Sequence, residues 1–297
     1  MSASILPILV GTGFFLGLGV PLAKAAAAEQ VNALAFALWP TAAAGFALLA
    51  LGRHRHGRQI LTAAHLRFGM IAGFFGHALP MSAAYWLSAE AGAGFTALAF
   101  TLPPVFTLAI TLLIGLERPF ARRIGAVAIG LLGALLLVSG RGALSTDAAS
   151  GALWLVIVIP AMIAAANVYR SVRLPPGLAP EWMAGLTLLS SAAVLLIAGI
   201  AIGGLGIPLE GDAIGWLALQ SVALVAGYLL YFLLQQRAEP VTFSFMGYVV
   251  MVTGVAIGTL FFGERLPPTT LPALALIGSA LWLIRRSASR RAPAPIR

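Results

Sequence analysis

The sequence predicts an all-α membrane protein: ten transmembrane helices arranged as two inverted five-helix repeats around a central cavity, with both termini cytoplasmic. Three observations predict it. The hydrophobic fraction is 60% and the charged fraction 9%, against roughly 45–50% and about 25% in soluble domains. The apolar residues gather into runs of about 20, the length that crosses a bilayer as a helix. Two of these runs also end alike, Pro104 to Glu117-Arg118 and Met251 to Glu264-Arg265, and each is followed by a second apolar, Gly/Ala-rich segment. Glu117 and Glu264 lie 147 residues apart, close to half of 297.

In chain order the predicted spans are 4–23, 32–51, 68–88, 93–115 and 122–140, then 151–169, 182–203, 213–235, 242–262 and 268–285. The first has no basic residue before it and no cleavage site after it, so it is read as a retained helix rather than a signal peptide. Its Gly13 and Gly17 form a small-xxx-small face for close helix packing. Pro21, Pro40, Pro80, Pro103, Pro104 and Pro160 interrupt spans. Proline removes a backbone hydrogen bond and kinks a helix, so Pro40, Pro80, Pro103, Pro104 and Pro160 are candidate gating positions. Nothing alternates apolar and polar residues as a barrel strand does, and lipid requires every backbone group to be satisfied within the segment. The connections are short, and no soluble domain is expected. The organisation is therefore 1–145 and 146–288 as the two repeats, with 289–297 as a basic cytoplasmic tail.

Charge sets the orientation. With the N-terminus cytoplasmic, 15 of the 18 basic residues fall on the inner side, among them Arg118, Arg122, Arg123, Arg170 and Arg173. Only Lys24, Arg141 and Arg265 are left outside. Positive residues collect on the cytoplasmic side, which places both termini there. Five helices per half is an odd number, so the second half inserts upside down, the arrangement that permits alternating access around a midplane site. The net charge of +9 thus reads as a topology signal rather than as nucleic-acid binding. The run Arg53-His54-Arg55-His56-Gly57-Arg58 has no Cys, Asp or Glu beside it and reads as a solvated loop touching anionic lipid.

The Pro104-Val105-Phe106 to Glu117-Arg118 run, followed by a helix with Gly125, Gly130 and Gly133, resembles the drug/metabolite transporter superfamily. It is most similar to the ten-helix EamA-type exporters, and within them to the YddG-like amino-acid branch. The likeness covers nearly the whole chain and departs from the pattern at Met251, where the first copy has Pro104, and at Leu116, which interrupts Gly-Glu. It implies two inverted five-helix bundles around a central cavity, with small metabolites, often amino acids, as cargo.

Ionisable residues inside a span are costly and therefore functional by default. His77 alone sits mid-helix, while Lys24, Glu29, Glu90, Glu210 and Asp212 lie at span edges. With an unperturbed pKa of about 6.5, His77 is the candidate for substrate or proton binding. Helical spacing gathers His77, Met81 and Tyr85 on one face and Tyr228, Tyr231 and Gln235 on another. Trp39, Phe100, Asn167 and Tyr248 complete the candidate cavity lining. Aromatic and amide walls without a fixed charge suit a zwitterion, its ammonium held on ring faces. A phosphate carrier would place Arg or Lys clamps in the cavity, and the spans offer none.

The expected function is secondary export of amino acids or related small metabolites across a bacterial inner membrane. Cationic drugs or other metabolites of the superfamily are the alternative cargo, and a passive channel or an intramembrane enzyme the alternative classes. The chain holds no Gly-x4-Gly-Lys-Ser/Thr loop for ATP. It has no cysteine and no intramembrane carboxylate pair or histidine cluster for catalysis. No catalytic residue, cofactor or metal is expected, and the partners are a small amino acid-like molecule and the lipid bilayer. The protein would work as a monomer or homodimer.

Overall fold

The computed structural model describes residues 5–139, 150–208, 211–262 and 268–288, which form helices α1 to α13 with no strand among them. α1 (Ile5–Gly17) and α2 (Gly19–Ala28) form one apolar run broken at Leu18. α3 (Ala33–His56), α9 (Pro180–Ile202) and α10 (Ala213–Gln235) are long and apolar. So is the pair α11 (Pro240–Ser244) and α12 (Met246–Phe262). Among the described residues, five helical runs are long and apolar enough to cross a membrane. α6 (Pro103–Leu113) and the apolar part of α13 (Thr270–Ala288) are shorter. α7 (Ala121–Ser139) and α8 (Ser150–Arg173) complete the set. The outward faces carry Phe46, Ile197, Val222 and Leu260, all exposed. Such continuous apolar cover is what lipid rather than water selects.

α4 (Ala63–Gly73) passes through a π-helical turn, Phe74–Ala78, into α5 (Leu79–Thr101). The sequence predicts a loop between 88 and 93, but the backbone there is helical. His77 and Phe100 would stand about 34 Å apart on a straight helix. Both nevertheless line one cavity, and α5 packs against α2 and α3 as well as α7 and α12. The chain therefore reverses within α5, by helical turns rather than by an extended loop. The interruption comes later, at Leu102, where Pro103 and Pro104 occupy the first turn of α6 and need no N–H.

Helix pairing repeats between the halves. α3 packs on α9, and α7 packs on α13. α1 packs on α10 and α12, and α8 answers by packing on α5 and α6. Each pairing has its counterpart when the halves are exchanged, as two units related by a pseudo-two-fold axis require. α3 and α9 run antiparallel: Gly45 meets Leu189, Gly185 meets Leu49, and Gly52 meets Trp182. These equivalent helices point in opposite directions.

Two arginines assigned by sequence to inner loops are instead buried. Arg123 is 5% exposed and pairs with Glu117 and Glu239. Glu117 also accepts from the Val241 N–H at 3.4 Å, so it ties the end of α6 to the start of α7 and to α11. This is the structural work of the first Glu-Arg corner; Glu264-Arg265 lies outside the described residues. Arg170 is 1% exposed, because α8 runs four residues past the predicted end of its span. The basic run after α3 is also not wholly solvated, since Arg55 and His56 reach the buried Glu181, each at 3.3 Å. The tail 289–297 lies outside the described residues.

The small-residue face of α1 seats on α12. A Cβ on Gly13 would fall 2.4 Å from Val249 Cβ, and one on Gly17 would fall 2.7 Å from Thr253 Cβ. Gly13→Leu is expected to destabilise by roughly 1–3 kcal/mol or more through overpacking. A lowered melting temperature in detergent checks this; an unchanged one would mean that α1 does not pack here.

Candidate functional site

A cavity lies where the two halves meet. α1, α2, the π turn and α5 supply Leu16, Gly19, Val20, Gly76, His77, Met81, Tyr85 and Phe100. Pro103 of α6, with Ile163 and Asn167 of α8, continues the wall. α10 adds Gln220, Leu224, Tyr228 and Tyr231, and α11 and α12 add Ser244, Met246, Gly247 and Val250. Gln220 and Tyr231 mark its two ends, 11 residues or about 16 Å apart along α10.

His77 is buried between two hydroxyls. Thr41 Oγ1 lies 3.0 Å from its Nε2 and Tyr228 OH 2.7 Å from its Nδ1. A hydroxyl can donate or accept, so either neutral tautomer is satisfied. The π turn presents it: the Leu79 N–H reaches back five residues to the Phe74 carbonyl, and Pro80 follows without an N–H. Tyr228 stacks on Tyr231 at 5.3 Å, and Tyr231 meets the edge of Phe243 at 4.6 Å.

At one end of the cavity Arg170 holds the polar groups together. Its Nη1 donates to the Tyr231 hydroxyl and to Asn167 Oδ1 (3.3 Å), and its Nη2 donates to the Ala72 carbonyl (2.9 Å). Tyr231 OH donates to Asn167 Oδ1 at 3.1 Å. The guanidinium lies against bare backbone: a Cβ on Gly76 would fall 1.7 Å from Arg170 Nη2. Among the described residues the lining itself holds no fixed charge, but a cation that the sequence reading assigned to a loop stands directly behind Tyr231. The remaining signal was the phase of Arg170, one turn after Asn167 on the same face of α8. At the other end Gln220 Nε2 approaches Tyr85 OH at 3.4 Å.

Of the residues singled out by sequence, His77, Tyr85, Phe100, Asn167, Tyr228 and Tyr231 line this cavity, with Pro103 beside them. Three lie outside its lining. Gln235 is buried one turn beyond Tyr231 and donates to Ser171 Oγ at 2.6 Å. Tyr248 faces α7, its hydroxyl donating to the Val127 carbonyl. Trp39 is half exposed and donates to the Leu205 carbonyl at 2.9 Å. Pro40 and Pro160 lie inside α3 and α8. Pro103 and Pro104 leave the Ala99 and Phe100 carbonyls without their usual donors, and the Phe100 carbonyl abuts Gly247. Among the described residues, no group of three His, Asp or Glu is placed to hold a metal ion.

The model of the EamA-like transporter family matches residues 3–139 and again 150–286. The chain belongs to this family. It is therefore a multi-pass membrane transporter, handling small molecules within the bilayer. No curated protein matches the chain. A solved structure described only as a crystal structure of a protein superposes with a TM-score of 0.76 at 17% identity. That match covers 97% of this chain and 98% of the other, and it speaks for the fold. The two family matches divide this EamA-like transporter where the helix pairings divide it.

Gly76→Ala is expected to dislodge Arg170, since no room exists for a methyl group. Transport activity should fall by more than tenfold while the protein still inserts, an overpacking effect of about 1–3 kcal/mol at one point. Wild-type activity in Gly76→Ala would show that the guanidinium does not rest on this glycine.

Proposed function

We propose that this EamA-like transporter is a secondary carrier that exports amino acids or related small metabolites across a bacterial inner membrane by alternating access. The observation that carries the reading is the cavity between two oppositely directed halves, polar at its ends and aromatic along one wall. Ten spans with both termini cytoplasmic, and repeats meeting near 145, complete the topology. An inverted repeat provides two conformations of equal plan, one open to each side. Ring faces of Tyr228 and Tyr231 suit an ammonium group. The freed carbonyls before Pro103 and Pro104 give α6 a bend about which a gate can move. The residues assigned to cargo are His77, Tyr85, Phe100, Asn167, Tyr228 and Tyr231, with no catalytic role for any of them.

Counterflow in proteoliposomes tests the reading. Vesicles preloaded with one unlabelled amino acid should accumulate its labelled form for a subset of amino acids. Accumulation for none would exclude amino-acid cargo and turn the search to cationic drugs and other metabolites. A channel would equilibrate label without overshoot. In the proton-coupled form of this mechanism His77 carries the proton. His77→Ala should then abolish the pH dependence of transport, and unchanged pH dependence in a folded His77→Ala protein removes that role.

A further inference from the structure

Among the described residues two arginines are buried, and they are held in opposite ways. Arg123 is enclosed by the carboxylates of Glu117 and Glu239, as a structural cation in a membrane protein should be. Arg170 is more deeply buried, yet its Nη1 and Nη2 rest on a phenol, an amide and a backbone carbonyl, all neutral, and its Nε has no partner. Among the described residues no carboxylate pairs with it. A buried cation without an anion is strongly unfavourable unless an anion arrives. The cavity is where one can arrive.

Asn167 supplies the contact. Its Oδ1 accepts from both Arg170 and Tyr231, which fixes the amide plane and leaves Nδ2 as a free donor. That Nδ2 is buried, has no partner, and belongs to a residue lining the cavity. At the far end the arrangement is reversed, for Gln220 Oε1 is a buried acceptor without a partner. Between the two lie Leu16, Val20, Ile163, Leu224 and Val250. The cavity thus has a donating floor backed by the Arg170 cation, an accepting roof, and apolar walls between them interrupted by the His77–Tyr228 pair.

We propose that the floor is a carboxylate site: Asn167 Nδ2 binds the anionic head, Arg170 neutralises it from behind, and the carrier selects monoanionic heads on apolar bodies while rejecting cations. This rests on the carrier reading above. An α-amino acid keeps its two charges within a few ångströms, far less than the span to Gln220. Its carboxylate therefore decides its seat, and its ammonium remains near the floor. One guanidinium and one amide match a single charge, whereas a phosphate dianion would require more cations.

A matched set of competitors in counterflow tests this: phenylalanine, phenethylamine without the carboxylate, and phenylpropionate without the ammonium. For the wild type, phenethylamine should compete at least about tenfold more weakly than phenylalanine, and phenylpropionate within a few-fold of it. Arg170→Gln should shrink the phenethylamine gap to below about threefold, while Arg170→Lys, which keeps the charge, retains most of it. Equal competition by phenethylamine and phenylalanine in the wild type overturns the proposal, whether or not the variants fold. An undiminished gap in folded Arg170→Gln does the same. Absence of counterflow for every compound would remove the carrier reading, and thermal shift then decides the site. Stabilisation of the wild type, but not of Arg170→Gln, by phenylpropionate upholds it; no shift in either sinks it.

Discussion

Arg170 enters the protein from the C-terminal end of α8, and nothing negative among the described residues meets it. Most of the features around the cavity floor follow from accommodating that charge in a low-dielectric interior. Its flat guanidinium needs close access to backbone, which Gly76 gives and any side chain would block. It needs neutral acceptors at fixed places, and Ala72, Asn167 and Tyr231 stand at them on three different helical segments. Tyr231 is in turn fixed by stacking on Tyr228, whose hydroxyl meets His77. The chain of contacts from α8 through α10 to the π turn therefore crosses from one repeat to the other.

The architecture was largely legible in the sequence, because lipid imposes a simple code. Length and apolar content placed α3, α9 and α10 within a few residues of their predicted limits. The half-length repeat of the Glu-Arg corner anticipated two units, and the helix pairings and family matches show two. What misled was the assumption that a turn needs loop residues. The reversal within α5 is made without leaving the helix, so no break in the pattern announces it.

Six of the nine residues singled out for the cavity line it and three do not, for a physical reason. Helical phase put His77, Tyr85, Tyr228 and Tyr231 on inward faces, and that much depends on one helix at a time. Gln235, Tyr248 and Trp39 have equally suitable side chains, but Gln235 turns to Ser171 of α8, Tyr248 to Val127 of α7 and Trp39 to the Leu205 carbonyl, and the cavity stops short of them. Arg170 was missed through the rule that serves topology best. Near the end of a span, a basic residue and a topology signal look the same, and only burial distinguishes a charge facing water from one facing a cavity.

The π turn at Phe74–Ala78 has an effect on everything after it. An α-helix advances by about 100° per residue, so one additional residue rotates the following helix by that angle about its axis. α4 seats Gly69 and Gly73 against α9 and Phe68 against Tyr169 of α8, while α5 turns Met81 and Tyr85 toward the cavity. These two seats are out of register with each other, and the extra residue reconciles them. Deleting any single residue between 74 and 78 would leave α4 in place and swing Tyr85 away from Gln220. The wall of the cavity is thus set by a count of residues as much as by their identity.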